Sequence, residues 1–484
     1  MNTLILMTLL LSFDSDAQNG QGMEQRMDLT LESAIQMALQ KNPEVLASKE
    51  AVGAAEASRK QTRGRFGPVL KADGNVMVWD DELSLSLASS TGGTNPLDPA
   101  TMPAMPTPVE EWLITGLGGI LGSLSAPMKL RDQVTGQLNL TLTQPLNNLY
   151  QIYQGYQVSK INQSIAEGQA EQTAQKKALD AATGYFRLLQ AAAQAQTADK
   201  SVAQLATQVK RVNSFVQQGL AARNDLLKIQ VAQMAAQQTA IRAHSGVAMA
   251  NAALCQVLGL PFETLIQPIT AAPQSPPVFA IPTEEAYRLA DTQRLELKEI
   301  HLRLEQAERG HQVALANMAP SVAAVAQYSH VEGQKMAEKN SFFAGLFLSW
   351  NVWEWGTSYE AVEEASARAR GAGYLNEQVR SLLRLEVKKN LIDHQTALEM
   401  LKVAQAALEQ AEEGYRIETA NFDKGVSTST DLLIAETAVT QARNNRILAF
   451  YECLIAHAGL VKALGNPITP ETLLKGGEHA VQNR

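Results

Sequence analysis

The 484-residue sequence predicts an α+β fold with an internal two-fold repeat, in which each half has two β-strands and a long helical hairpin. Three observations support this prediction. Residues 214–261 match residues 420–467 without a gap, and each matched pair lies 206 positions apart. Residues 134–143 alternate between apolar and polar side chains, and residues 153–218 and 359–424 lack proline. A duplicated unit of this length points to an architecture in which the repeat itself makes the function.

Each half is predicted to begin with a helix and a strand. The helices span residues 30–65 and 283–317, and the strands span residues 69–79 and 321–331. Pro68 and Pro320 correspond at an offset of 252 positions, and the offset then falls to 206. The first half therefore carries an insertion, which we place at residues 81–129 because that segment is rich in Gly, Pro, Ser and Thr.

The second strand of each half carries the clearest pattern. In the first half, Val134, Leu138 and Leu142 belong to one face and polar side chains to the other, as expected of a half-buried strand. Its counterpart, residues 342–353, alternates less cleanly and ends in an aromatic cluster. That cluster contains Phe347, Trp350, Trp353 and Trp355.

The long proline-free stretches predict helices that would each be about 100 Å long at 1.5 Å per residue. Each helix is expected to turn near a glycine, Gly219 or Gly425, and to return as a second helix. The predicted segments are a signal peptide (1–17), a first repeat (28–261), a proline-rich linker (262–282), a second repeat (283–467) and a C-terminal tail (468–484). The signal lacks a basic start, so either the true start differs or the signal is atypical.

Composition and motifs argue against several classes of protein. The formal net charge of −8 gives no reason to expect a nucleic-acid partner. We find no catalytic motif, and the seven histidines include no pair spaced i, i+4, so no enzyme activity, metal or cofactor is expected. Cys255 and Cys453 are either buried free thiols or a disulfide.

The predicted strands cannot form a closed sheet within one chain. Four strands per chain are too few, because the smallest transmembrane barrels have about eight. A lone sheet with an apolar face would also expose its edges. Closure must therefore come from other copies of the chain, which form a hollow oligomer. Ten-residue strands fit the hydrocarbon thickness of a lipid bilayer, and the aromatic cluster is typical of the membrane interface.

The order of elements resembles the TolC-type outer-membrane efflux family. The resemblance is carried by residues 29–70, by the strand GQLNLTLTQPL and by the two tips GLAARNDLL and GVSTSTDLL, and it covers roughly residues 28–467. It implies an α+β membrane protein of the bacterial outer membrane. Three protomers, with four strands each, would form a trimeric 12-stranded β-barrel, continued by a long periplasmic α-helical barrel.

The resemblance also implies partners and a function. The homotrimer would contact a periplasmic adaptor protein and an inner-membrane pump or ABC transporter. It would act as a passive exit duct for small molecules or, in type I secretion, for proteins. The alternative function is a soluble periplasmic coiled-coil scaffold or tether.

The resemblance suggests roles for residues at the hairpin tips. Gly219 and Leu220, with Gly425 and Val426, would contact the adaptor, or they are plain helix-to-helix turns.

Two aspartates and one phenylalanine close to these tips are candidates for a gate in the lumen. Asp225 and Asp431 would form acidic rings that select cations, or they stabilise the start of a helix. Phe422 would gate the lumen, or it belongs to the core. In the insertion, residues 113–124 either cover the pore mouth or form a mobile loop.

Overall fold

The computed structural model describes residues 26–85, 108, 112–113, 115–116, 128–269, 273, 275–278, 281–335 and 337–474. The predicted signal peptide and most of the predicted insertion, including most of residues 113–124, lie outside this set. The chain forms two compact units. One, here called the helical unit, contains the residues up to 53 with 164–302 and 374 onward; the other, the sheet unit, contains 54–163 and 303–373.

In the part of the first half that the structure describes as continuous segments, four strands and four helices follow one another. In order they are β1 (Arg26–Leu29), α1 (Leu31–Lys41), α2 (Pro43–Gly64), β2 (Val69–Val78), β3 (Leu83–Leu85), β4 (Met128–Pro145), α3 (Leu149–Gln217) and α4 (Arg223–Leu258).

The second half contains three strands and five helices. In order they are β5 (Leu265–Pro268), α5 (Thr283–Gln293), α6 (Leu295–Ala316), β6 (Ser321–Gln334), β7 (Asn340–Ser349), α7 (Thr357–Asp423), α8 (Ser429–Ala463) and α9 (Pro470–Leu474). The two long helices α3 and α7 contain 69 and 67 residues.

The first helix of each half is broken, where the sequence predicted one continuous helix. The breaks fall at Asn42 and Arg294, which both adopt extended backbone conformations. The Asn42 side chain donates to the Val257 carbonyl oxygen at 2.8 Å, and the Arg294 guanidinium donates to the Ala463 carbonyl oxygen at 3.2 Å. These two contacts are separated by the same offsets, 252 and 206, that relate the two halves of the sequence.

Four short elements, β1, β3, β5 and α9, were not predicted. Strand β5 lies in the segment predicted as a linker and pairs in parallel with β1, from Arg26 opposite Leu265 to Leu29 opposite Pro268. Strand β3 adds a fifth strand to the sheet predicted to have four. Helix α9 lies in the predicted tail, and its Leu473 is buried in the core. The predicted division into domains is not tested by these elements and stays a prediction.

The sheet unit contains one antiparallel sheet in the order β2-β4-β6-β7, with β3 beside the start of β4. Strand β4 has 18 residues and β6 has 14, both longer than predicted. Strand β7 ends at Ser349, earlier than predicted. Within the described residues, β2 and the short β3 lie along one edge of the sheet, and β7 forms the other.

The core of the helical unit is built from large side chains of α3, α4 and α8. Tyr185, Phe186 and Leu254 are each at most 2% exposed. Gly184 lets α3 approach α4, because a Cβ atom there would lie 3.2 Å from Leu254 Cδ1. None of the helices in the described part of the chain is both long enough and apolar enough to cross a membrane.

Both cysteines of the chain lie in the helical unit. Cys255 on α4 and Cys453 on α8 are free thiols with no exposed surface. Of the two alternatives that the sequence left open, the structure shows buried free thiols.

Candidate functional site

The two hairpin turns share one backbone geometry. Gly219 and Gly425 have φ values of 75° and 72°, a left-handed conformation that glycine adopts without steric cost. The amide of Leu220 donates to the Phe215 carbonyl at 2.8 Å, and the amide of Val426 donates to the Asn421 carbonyl at 3.0 Å. These bonds satisfy carbonyls at the ends of α3 and α7.

Leu220 and Val426 project from these turns into solvent. Their side chains are 73% and 78% exposed. Both turns lie in the helical unit. An exposed apolar side chain at each turn is compatible with contact with another protein. It is equally compatible with a turn that only connects two helices, so the adaptor-contact role stays a prediction.

Asp225 is the third residue of α4. The Ser429 hydroxyl donates to its Oδ1 at 2.8 Å, and Lys228 Nζ lies 3.5 Å from the same oxygen. The hydrogen bond from Ser429, followed by the charge of Lys228, lowers the pKa of Asp225. This carboxylate therefore connects the first turn of α4 to the first turn of α8.

Asp431 is the third residue of α8 and forms a capping box with Thr428. The Asp431 amide donates to Thr428 Oγ1 at 3.2 Å, and the Thr428 amide donates to Asp431 Oδ2 at 3.2 Å. Hydrogen bonds from the Thr428 hydroxyl and amide lower the pKa of Asp431. This geometry favours the helix-start interpretation, although a carboxylate so placed keeps its charge.

Phe422 lies in a small apolar cluster beside the turns. Its side chain is 7% exposed, and its ring centroid is 6.1 Å from that of Phe215. Val212, Ile229 and Leu432 complete the buried set, here called the tip cluster. The surroundings of Phe422 favour the core interpretation over the gate.

The register gives the sheet two chemically different faces, because directly paired residues share a face. Asn139 pairs with Asp73 and Ser329, and Ser329 pairs with Ser341, so this face is polar. The next residue, Leu140, begins the apolar row. It consists of Ala72, Leu140, Tyr328 and Phe342.

The polar face is held together by side-chain hydrogen bonds. Ser329 Oγ donates to Asn139 Oδ1 at 2.7 Å, and Gln137 Nε2 donates to the same oxygen at 3.1 Å. The apolar face is open, since Val76 and Leu346 are 75% and 72% exposed. The alternation predicted for residues 134–143 therefore extends to β2. It is weaker in β6 and β7, where His330 lies on the apolar face and Phe343 on the polar face.

The predicted interface aromatics divide into two groups. Trp350, Trp353 and Trp355 follow the end of β7, and the rings of Trp353 and Trp355 meet edge to face at 5.7 Å. Phe347 lies within β7 opposite Ala323, on the polar face, with its ring 6.1 Å from that of Phe343. Phe347 and Ser341 are six residues apart in β7, so their side chains lie on the same, polar face. Phe347 is thus on the face opposite to that expected for a membrane-interface residue.

Sequence reasoning missed two buried titratable sites in the helical unit. His394 on α7 and His457 on α8 have ring centroids 5.4 Å apart, and burial lowers the pKa of His394 to about 4. Glu436 on α8 is 4% exposed, and burial raises its pKa. No local pattern marks these residues, since only packing between helices buries them. Among the described residues, no group of three or more His, Cys, Asp or Glu side chains is placed to hold a metal ion.

The two-faced antiparallel sheet and the two long helical hairpins are the elements that the resemblance to the outer-membrane efflux family implied. Residues 286–466 match the model of the family described as Outer membrane efflux protein. The resemblance to the TolC-type outer-membrane efflux family is thereby confirmed. The match covers 181 of the 484 residues of the chain.

Solved structures share the fold over almost the full length. CusC, described in a study of folding and transmembrane channel formation, has a TM-score of 0.72 at 17% identity, with 93% of this chain and 96% of that chain covered. VceC from Vibrio cholerae has a TM-score of 0.70 at 14% identity, covering 91% and 97%. The CmeC outer membrane channel of Campylobacter jejuni has a TM-score of 0.72 at 14% identity, covering 93% and 87%. No curated protein sequence matches the chain.

Proposed function

We propose that three copies of this chain close their sheets into a 12-stranded barrel and form a passive exit duct through the outer membrane. The observation that carries the proposal is the sheet itself, which has one apolar face, one polar face and two edges, β2 and β7. An exposed apolar face and unpaired edges are unfavourable in water. Pairing β7 of one copy with β2 of the next removes both edges.

Strand length supports placement in a bilayer. Strands β2 and β7 each contain 10 residues. At about 3.3 Å per residue and a tilt of about 45°, such a strand spans roughly 23 Å, close to the apolar band of outer-membrane barrels. The apolar face, with Val76 and Leu346, would then contact lipid. The polar face, with Asn139 and Ser329, would line water.

The helical hairpins would continue the duct into the periplasm. Helices α3 and α7 lead from the sheet unit to the exposed turns at Leu220 and Val426. In this proposal, the turns contact a periplasmic adaptor, which connects the duct to an inner-membrane pump or ABC transporter. Transport energy comes from these partners, since nothing in the family points to an enzyme. The exported class is small molecules or, in a type I secretion arrangement, proteins.

Accessibility of single cysteines tests the two faces. Both native cysteines are buried, so Ser329→Cys and Leu346→Cys can be compared in the full chain reconstituted into liposomes. A membrane-impermeant maleimide should label Ser329→Cys through the lumen. It should leave Leu346→Cys unlabelled until detergent is added.

Equal labelling of both positions in intact liposomes would contradict the proposal, as would the reverse pattern. Fractionation adds an independent check against the scaffold alternative. A duct should sediment with outer membranes, whereas a scaffold should be released with the periplasmic contents.

A further inference from the structure

A layer of polar side chains is buried between α3, α7 and α8, close to the tip cluster. Ser201 and Gln208 on α3 are both 7% exposed, and Glu436 on α8 is 4% exposed. The layer is completed by Gln204 on α3, Tyr415 on α7 and Thr440 on α8, and we refer to it as the polar layer. Tyr415 also packs against the tip cluster, so the two groups are in contact.

In the part of the chain that the structure describes, three buried acceptor oxygens of the polar layer lack a hydrogen-bond donor. Ser201 Oγ donates to Glu436 Oε1 at 3.2 Å, and Thr440 Oγ1 donates to the same oxygen at 3.4 Å. Glu436 Oε2 has no partner among the described residues, and neither do the buried Oε1 atoms of Gln204 and Gln208. All three atoms are oxygens that can only accept while Glu436 is ionised.

A proton on Glu436 would change this balance. An unsatisfied buried acceptor is unfavourable, and an unpaired buried carboxylate is more so. The carboxylic acid supplies one O–H donor in a place where oxygen acceptors lack partners. The Tyr415 hydroxyl of α7 interacts electrostatically with Glu436 of α8 and lies beside Gln208 of α3, so the three helices meet at this layer.

The charges around Glu436 do not neutralise it. Arg443 on α8 acts on it electrostatically, but its guanidinium donates to Glu412 on α7 at 3.0 Å. On α4, Asp225 and Lys228 are engaged with Ser429 and Thr430 at the start of α8. Tyr415 is the titratable group of α7 in the layer, and burial raises its pKa above the usual value for tyrosine. Burial also raises the pKa of Glu436, so it takes up a proton at a higher pH than an exposed glutamate.

We propose that Glu436 is a proton-dependent link between α3 and α8. When protonated, its Oε2–H donates to a glutamine amide oxygen of α3. When the proton is released to water, the ionised carboxylate is left facing acceptors, and the tip cluster beyond it loosens. The device would make the hairpin turns more mobile as the pH rises, and it does not depend on the proposed export function.

Hydrogen exchange of the full chain in detergent tests the link. Wild-type protein should lose amide protection severalfold in the residues of α3, α4, α7 and α8 around the tip cluster as the pH rises from about 5 to about 8, after correction for intrinsic exchange rates. Glu436→Gln is nearly isosteric and cannot ionise, so it should keep the protection independent of pH. Glu413→Gln removes an exposed carboxylate of α7 that pairs with Arg416, away from Glu436, and should retain the wild-type pH dependence.

Two results would overturn the proposal. One is a wild-type profile with no pH dependence at the tip, which decides the matter even if Glu436→Gln fails to fold. The other is a folded Glu436→Gln protein that keeps the wild-type pH dependence. The pKa values of Asp225 and Asp431 are lowered, so neither changes charge in this range and neither can mimic the effect.

Discussion

The Ser429 hydroxyl donates a 2.8 Å hydrogen bond to the Asp225 carboxylate and thereby ties the returning helices of the two hairpins together beside their turns. Asp225 and Asp431 occupy the same helix position, but their partners differ. Asp225 reaches across to the other half, whereas Asp431 satisfies the start of its own helix. A shared sequence position has thus acquired two structural roles.

We expect Asp225→Asn to separate the charge of this residue from its structural contact. The amide oxygen can still accept from Ser429, so the protein should fold and assemble like the wild type. If the carboxylates line the lumen, cation selectivity in planar bilayers should fall. Asp199→Asn, which removes an exposed carboxylate paired with His244, is the control. Unchanged selectivity for Asp225→Asn would leave the residue a purely structural role.

Thr428→Ala should destabilise the start of α8. The substitution removes the hydroxyl that accepts from the Asp431 amide, and loss of such a cap costs about 1 kcal/mol. Increased hydrogen exchange in the first turn of α8 would report this loss. Thr430→Ala, within the same turn but not the cap, should have a smaller effect; equal effects would show that the cap is unimportant.

The glycines that end the helices should differ in their tolerance of alanine. At Gly219 an added Cβ would meet nothing within 4 Å, so Gly219→Ala should cost only the left-handed backbone penalty, about 1 kcal/mol. At Gly259 the φ value is 68°, and a Cβ would lie 2.7 Å from the Lys41 carbonyl oxygen. Gly259→Ala should therefore lower the unfolding temperature more than Gly219→Ala. The opposite order would mean that the backbone at the break between α1 and α2 can move away from Gly259 at little cost in free energy.

His394 should make the helical unit sensitive to acid. Its folded pKa of about 4 lies below the ordinary value of 6.5, so the unfolded state binds the proton more tightly. The contribution of neutral His394 to the free energy of unfolding is fully present above about pH 6.5. It is lost as the pH decreases toward 4, by up to about 3 kcal/mol.

The thermal unfolding midpoint, measured from pH 7.5 to pH 4, checks this expectation. His394→Gln should flatten the acid side of the profile, whereas His244→Gln, which changes an exposed histidine, should not. A His394→Gln profile that matches the wild type would contradict the assignment.

The features predicted well from sequence are those encoded by local pattern. The alternation around Leu138 marks a strand with two faces. Gly219 and Gly425 mark the turns, because each turn needs a left-handed backbone at that position. Both features can be predicted because they are determined by residues adjacent in sequence and not by contacts between distant segments.

The features that were missed depend on contacts between distant segments. The break at Asn42 is fixed by a carbonyl of α4, and the short strand β5 exists only through its pairing with β1. Glu436 resembles a solvated helix residue until α3 and α7 cover it. The face of Phe347 depends on the register of β7, which a weak alternation did not reveal.

The most direct test of the central claim is the mass of the full-length protein in detergent, determined by native mass spectrometry. Single-channel recording on the same sample accompanies it. The account predicts a trimer that conducts ions across a planar bilayer. A monodisperse monomer that stays in aqueous buffer without detergent and shows no conductance would contradict it.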